Sequence, residues 1–414
     1  MLLADCRADE GVTIFFCRHN PLTVGTLEST FATAGETVDL LTYLAEDISL
    51  RFDRWDDRYT RGPSLYFIII SEARYDSFVD SLGNNRWPVE VARVFPDDID
   101  TATEVSDEIA FDRDGAVVVA ADGTIQEQMV RVRSLPDRDR FDVDYPDWMS
   151  AKHMSALEAS STDEVLAAVT LSEENGRVTV FEDGSYEDYE RTDLGGRWRV
   201  DHSDVVVGES QRGRTDSLLT SSVSDDRSVG GGSIEGPVTT HAQTDQLVDR
   251  LVSVAESLSI SFDRWEEQYV SGPSLYFVIV ADANYGDYAD PLGANRWPTD
   301  TCRVATGDIE SFVTATEEVA FSCDGAIVVM IDGTVQGPMV RIRSPSATEV
   351  EQDEAFDYAD WMGTKHLSAV EVSTRPEVPR AVTLSEEDGR VTVFEDGSYE
   401  DRTREELGGR WRAQ

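Results

Sequence analysis

The chain repeats itself once, motif by motif, over most of its length. Phe52-Asp53-Arg54-Trp55 returns as Phe262-Asp263-Arg264-Trp265, Gly62-Pro63-Ser64 as Gly272-Pro273-Ser274, and Asn85-Arg86-Trp87-Pro88 as Asn295-Arg296-Trp297-Pro298. Asp114-Gly115-Ala116 matches Asp324-Gly325-Ala326, and Leu171-Ser172-Glu173-Glu174 matches Leu384-Ser385-Glu386-Glu387. The offset is 210 residues through the Asp-Gly-Ala motif and 213 afterwards. Solenoid repeats run at about 20 to 50 residues, so a period this long means two whole domains, each long enough to bury its own core. We place them at residues 37–200 and 241–414. Residues 201–240, rich in Ser, Gly and Asp and poor in large apolar side chains, read as a flexible linker. Residues 1–36 have no counterpart in the second half and read as an N-terminal extension for which disorder is one reading.

Asp and Glu outnumber Lys and Arg by 81 to 36, for a formal net charge of -45. Such a surface repels nucleic acid and anionic membranes. Only two of the 414 residues are lysine, Lys152 and Lys365, and they fall at matched positions. Acidic excess without lysine fits a cytosol of concentrated salt, where self-repulsion is screened within a few Å. The four cysteines form no C-x-x-C pair and suggest neither zinc nor a disulfide framework. No long apolar run or signal-peptide pattern is present, so a cytoplasmic protein without a membrane partner is expected.

Each copy opens on a 3/4-spaced stripe, Leu41, Leu44, Ile48, Phe52, Trp55 and Tyr59, repeated from Leu251 to Tyr269, which predicts an amphipathic helix. Buried strands are expected over 64–70 and 274–280. Two further apolar runs, 115–120 and 325–331, end in Asp-Gly and predict hairpins with 124–132 and 334–342. The lysine motifs should open helices, and hairpins should follow across Asn175-Gly176 and Asp388-Gly389. Helices interspersed with strand pairs give an α/β fold, two tandem copies of a mixed β-sheet flanked by helices.

Three motifs carry chemistry. Asp114 and Asp324 precede Gly-Ala pairs (Gly115-Ala116, Gly325-Ala326), where small residues let a ligand approach backbone and a carboxylate can hold a metal or accept a proton. Lys152-His153 and Lys365-His366 stand at expected helix N-termini, and Gly363-Thr364 supplies a small approach residue and a cap. Exposed amides, the helix dipole and an ammonium together suit phosphate. The histidines fit either that role or a buried, structural one. Ser172-Glu173 and Ser385-Glu386 end strands, where a hydroxyl and a carboxylate can share a cleft, or simply make a solvated turn.

In order and combination these motifs resemble the diadenylate cyclase family, the domain type found at the N-terminus of the DNA-integrity scanning protein DisA. That family carries Asp-Gly-Ala, then Gly-Thr-Arg-His-Arg, then Ser-Glu-Glu-x-Gly. The resemblance covers about the last two thirds of each copy. It implies a mixed sheet flanked by helices, two domains face to face as an intramolecular pseudo-dimer, one ATP or related nucleotide in each, and a divalent metal, Mg or Mn. Each 3′-hydroxyl would attack the other ATP's α-phosphate, giving cyclic di-AMP and two pyrophosphates. Asp114 and Asp324 would bind metal and activate the hydroxyl. Lys152, His153, Thr364, Lys365 and His366 would hold triphosphates, and Ser172, Glu173, Ser385 and Glu386 would line the phosphate and metal side. The chain departs from the pattern where lysine replaces the first arginine, where Met154 and Leu367 replace the second, and where the first copy has Ser150-Ala151 for Gly-Thr. Two other functions fit the same residues: a nucleotide or cyclic-dinucleotide binder without turnover, and a structural interaction protein that keeps only the fold.

Overall fold

The structure, a computed structural model, describes residues 24–71, 75, 78–94, 99–134, 145–195, 241–298, 309–345, 356 and 358–407. The expected linker 201–240 and residues 1–23 lie outside the described residues.

Each half is built on one five-stranded mixed sheet. In the first, β1 (Leu65–Ile70) runs parallel to β3 (Val117–Ala120) and antiparallel to β5 (Val165–Leu171), which continues through β6 (Val178–Glu182) to the edge strand β7 (Ser185–Tyr189), in the order β3-β1-β5-β6-β7. The second half repeats the order with β10 (Ile327–Met330), β8 (Leu275–Val280), β12 (Arg380–Leu384), β13 (Val391–Glu395) and β14 (Ser398–Arg402). Every residue of β1 and β8 is buried, so both faces of the sheet are covered. Alternation sorts the side chains: Leu65, Phe67 and Ile69 enter one core with α1 (Val24–Arg51) and α2 (Ile99–Asp112), while Tyr66, Ile68 and Ile70 enter another with α3 (Ala151–Ser160). The helices α4 (His241–Ser261), α5 (Ile309–Ser322) and α6 (Thr364–Val372) do the same in the second half.

Three expectations need correction. The opening helix starts at Val24, inside the segment assigned to the extension, and it stops at Arg51, as its counterpart stops at Ser261. Phe52, Trp55 and Tyr59 therefore lie beyond it; their spacing comes from a turn in which Phe52 packs edge-on against Trp55. The run after Asp122-Gly123 turns back on the 115–120 segment as expected, through the isolated antiparallel bridges Val119–Ile125 and Ala116–Val130, but builds no continuous ladder with β3. It leaves the main sheet, and β4 (Gln128–Val132) pairs instead with β2 (Val79–Arg86), as β11 (Pro338–Ile342) pairs with β9 (Ala289–Arg296). The hairpins across Asn175-Gly176 and Asp388-Gly389 form as expected.

The two halves meet in a symmetrical way. Thr60 forms a β-bridge with its own counterpart Val270, and the Ser134 amide donates to the hydroxyl of its counterpart Ser344 (2.8 Å). A residue that touches its own counterpart marks a two-fold relation, in which each contact from one half is returned by the other. Arg61 N–H donates to Tyr269 O and Ser271 N–H to Tyr59 O. Tyr59, held at φ 64°, packs on Phe262 and Phe321; Tyr269, at φ 65°, packs on Phe52 and Phe111. Leu82 is buried in the second half's core and Leu292 in the first half's. Two buried ion networks close the interface. Arg131 of β4 meets Glu371 of α6, and Arg341 of β11 meets Glu158 of α3. Removing a buried leucine side chain typically costs about 2 to 5 kcal/mol, so the crossing leucines alone make the contact more than incidental.

Candidate functional site

Between the halves lies a cleft of about 1280 Å³. Its wall carries Asp114, Gly115, Ala116, Lys152, Ser172 and Glu173 from one half, and Asp324, Gly325, Ala326, Gly363, Thr364, Lys365, His366, Ser385 and Glu386 from the other. The sequence motifs, up to 272 positions apart, thus converge on one space. Of the expected site residues, His153 alone does not line it.

The motifs combine across the interface rather than within a half. Asp114 ends the connection from α2 to β3, and Gly115 (φ 98°) turns the chain there; a Cβ on it would meet Leu82 Cδ1 at 2.1 Å. The Asp114 carboxylate accepts from its neighbour Gly115 N–H at 2.8 Å and from Thr364 N–H at 2.6 Å, at the N-terminus of α6 in the opposite half. Gly363 is the N-cap of that helix, and a Cβ there would lie 2.6 Å from Asp114 Oδ2, so glycine is what permits the approach. Thr364 takes the first helical position and contributes its amide; its side chain does not cap the helix, contrary to the sequence reading. Asp324 repeats the arrangement with Gly325 N–H (2.8 Å) and Ala151 N–H (3.2 Å). Here Ser150 stands in place of glycine, and the carboxylate stays farther out, 3.2 Å against 2.6 Å.

Each lysine reaches from its helix into the same corner. Lys152 Nζ donates to Ser64 Oγ (2.7 Å) and to Leu171 O (2.6 Å). Lys365 Nζ donates to Ser274 Oγ (2.7 Å), Leu384 O (3.0 Å) and Glu386 Oε2 (3.0 Å). An ammonium has three protons. Those of Lys365 are all engaged, whereas two partners leave Lys152 one proton for a ligand. Burial pushes the Lys152 pKa down, with Glu173 acting against that shift.

The histidines belong to the core. His153 Nδ1 meets Ser150 Oγ at 2.8 Å and faces its N–H at 3.3 Å, while the ring packs on Trp148 and Phe181. His366 packs on Trp361 and Phe394. Burial first, and the adjacent lysine second, push both imidazoles down to about 3, so both are neutral at pH 7. The buried Nε2 of each has no hydrogen-bond partner, which suits a packed neutral ring better than a phosphate ligand.

The second glutamates of the repeated Ser-Glu-Glu motifs, Glu174 and Glu387, were not among the expected site residues, and they line the cleft as well. Burial pushes both up to about 7, with the facing Asp324 or Asp114 and the adjacent Glu173 or Glu386 adding repulsion. Burial also opposes ionisation of Glu173 and Glu386, but Arg61 and the lysines override it and hold both carboxyls below the usual range. Arg61 donates to Glu173 Oε1 (2.6 Å) and to Glu386 Oε1, one carboxylate from each half. No repeat could have revealed it, because its counterpart is Ser271. Ser64 and Ser274 lie in the repeated Gly-Pro-Ser motif, so for them the signal was present.

Among the described residues no group of three or more His, Cys, Asp and Glu side chains is arranged to hold a metal, and no helix is long and apolar enough to cross a membrane.

No family model matches the chain, and no curated protein matches it. Several solved structures are similar to parts of it. A double-cysteine variant of DacA from Staphylococcus aureus is 15% identical with a TM-score of 0.26, covering 40% of this chain and 91% of its own. A hypothetical membrane spanning protein from Bacillus cereus is 13% identical with a TM-score of 0.26, covering 38% and 63%. Neither likeness bears on the chemistry of the cleft.

Proposed function

We propose that the cleft takes two adenine nucleotides, one in each of two composite half-sites, and that the protein is a diadenylate-cyclase-like nucleotidyltransferase joining two ATP into cyclic di-AMP with release of two pyrophosphates. One observation carries the reading: the aspartate of each half stands at the helix N-terminus of the other, beside that half's lysine and Ser-Glu-Glu turn. A reaction between two nucleotides needs this crossing, because the group that prepares one nucleotide's hydroxyl must sit beside the other's phosphate. The tandem halves would then act as an intramolecular pseudo-dimer.

The residues fit a divalent cation bound together with nucleotide. The carboxylates of Asp114, Asp324, Glu173, Glu174, Glu386 and Glu387 stand with the cations Arg61, Lys152 and Lys365, and acidic residues outnumber basic ones over the whole lining of the cleft. Such a lining rejects a bare polyphosphate. Magnesium and manganese are commonly held by one or two carboxylates plus substrate phosphates, so a site lacking three protein ligands still suits them. Asp114 and Asp324 would hold the ion, each oxygen keeping a lone pair beyond its amide bond, and the ion would lower the pKa of the attacking hydroxyl and neutralise phosphate charge. The helix amides and Lys152 would grip phosphate oxygens, and the raised carboxyls of Glu174 and Glu387 could accept and return a proton near neutral pH.

A second reading, binding without turnover, draws support from Lys365, whose three protons are already taken and which cannot clamp phosphate through two parallel donors as arginine does. Incubating the protein with ATP and Mn²⁺ in molar KCl, with products identified by mass spectrometry, separates the two. Cyclic di-AMP and pyrophosphate are expected. Calorimetric binding of ATP without product favours the second reading, and neither binding nor product refutes both.

A further inference from the structure

The cleft is lined by two cationic side chains that the duplication does not supply twice, Arg61 and Arg113, and of these Arg61 bonds a carboxylate of each half. Arg61 follows the bridge between Thr60 and Val270, next to the two-fold relation of the halves, and its guanidinium donates to Glu173 of its own half and to Glu386 of the other. The residues that follow the bridge in each half fix the backbones of those turns, since Gly62 N–H donates to Glu173 O and Gly272 N–H to Glu386 O, each at 3.0 Å. Glu386 in turn takes a bond from Lys365, while Lys152 lies close enough to Glu173 to stabilise its charge.

Symmetry explains why one arginine serves two sites. The halves exchange Glu173 and Glu386, so the pair maps onto itself, and a guanidinium between the two is equally placed for each. Two arginines from positions 61 and 271 would bring like charges into one small space; Ser271 avoids that. A dimer of identical chains cannot place a single arginine there, whereas a fused chain can.

We propose that Arg61 is the positioning residue shared by both nucleotide half-sites, one planar fork that fixes Glu173 and Glu386 together and so ties the geometry of the two Ser-Glu-Glu turns. This rests on the nucleotide reading for its ligand, but the coupling of the turns is measurable without one. Arg61 acts through the glutamates: its loss leaves two neighbouring, partly buried carboxylates to repel each other, and both turns shift.

The test uses the full chain in molar KCl. Lys365→Met and Lys152→Met serve as backgrounds that each leave one half-site intact, and Mn·ATP affinity is measured by calorimetry with and without Arg61→Ser. Affinity is expected to fall about tenfold or more in both backgrounds, in line with losing charge-assisted hydrogen bonds. Amide hydrogen exchange at residues 172–176 and 385–389 should quicken in both turns. The double variant Arg61→Ser/Ser271→Arg, which returns the guanidinium from the other half, should restore affinity and protection together. Arg61→Lys, which has the charge but no planar fork, should restore little. A merely structural arginine would not be rescued from the opposite half. Loss confined to one half-site, unchanged exchange in either turn, or failure of the folded double variant to recover overturns the proposal. If the parent chain binds no nucleotide, the functional reading falls, and the exchange of the two turns alone decides for or against Arg61.

Discussion

Glu371→Ala should be among the most damaging single substitutions in the molecule, although Glu371 lies outside every sequence motif discussed above. Its carboxylate, 4% exposed, accepts from both terminal nitrogens of Arg131 and from the Tyr358 hydroxyl at 2.7 Å, and Arg131 lies 240 positions earlier, in the other half. Truncation leaves a guanidinium that is 5% exposed with only Asp80 for an ionic partner. Breaking a buried pair from one side costs about 3 to 5 kcal/mol, whereas an exposed pair contributes about 0 to 1. For domains of this size each kcal/mol moves Tm by roughly 2 to 4 °C, so a drop of about 6 to 20 °C is expected. Glu395→Ala is the control: Glu395 pairs with Arg380 but is 47% exposed, and its loss should shift Tm by no more than about 4 °C. Calorimetry in multimolar KCl measures both. Because the lost contact joins the halves, the transition of the parent should be single, and Glu371→Ala should split it or lower it as a whole. A folded Glu371→Ala protein with the parent's Tm refutes the claim that this pair holds the halves together.

Three other outcomes are expected. Dilution from molar KCl to below a few tenths molar should lower Tm, because a net charge of -45 is then poorly screened; a Tm indifferent to salt refutes this. His153 and His366 titrate near 6.5 when unfolded but near 3 when folded, so the unfolded chain binds more protons between those values and stability falls as pH drops below 6.5. Each ring should cost about 2 kcal/mol by pH 5, and a His153→Gln/His366→Gln variant with the parent's pH slope counts against it. Lys152→Met should weaken nucleotide binding at least as much as Lys365→Met, because Lys152 keeps a free proton, and calorimetric titration showing the reverse order would refute this.

The strands with continuous apolar runs, the two hairpins and the lysine helices were legible because their periodicity is strong. The buried face of α2 is Ala102, Thr103, Ser106, Ile109 and Ala110, too small and polar to stand out as a stripe, so that helix was missed. The strand β2 carries Gly83 and two asparagines and owes its conformation to partners elsewhere: a Cβ at Gly83 would lie 2.2 Å from Asp360 O in the other half. Repetition identified the aspartates, lysines and first glutamates of the site, and the cleft gathers them. It could not show that they combine crosswise, since a repeat reads the same whether its copies face each other or stand apart. Nor could it separate His153 and His366, which share the lysine motif but turn into the core.

The crossing of Leu82 into the second half's core has a consequence for synthesis. During translation the first half leaves the ribosome before its partner exists, with Leu82 and the Arg131 guanidinium turned toward a surface not yet made. Until about 240 further residues have been added, that face is an unfilled, sticky socket. Crowded ribosomes on one message would offer it the second halves of neighbouring chains, which carry the same complementary face. Slow elongation or high expression should therefore yield exchanged oligomers, each cleft assembled from two polypeptides, and every such oligomer would have the same sites as the single chain.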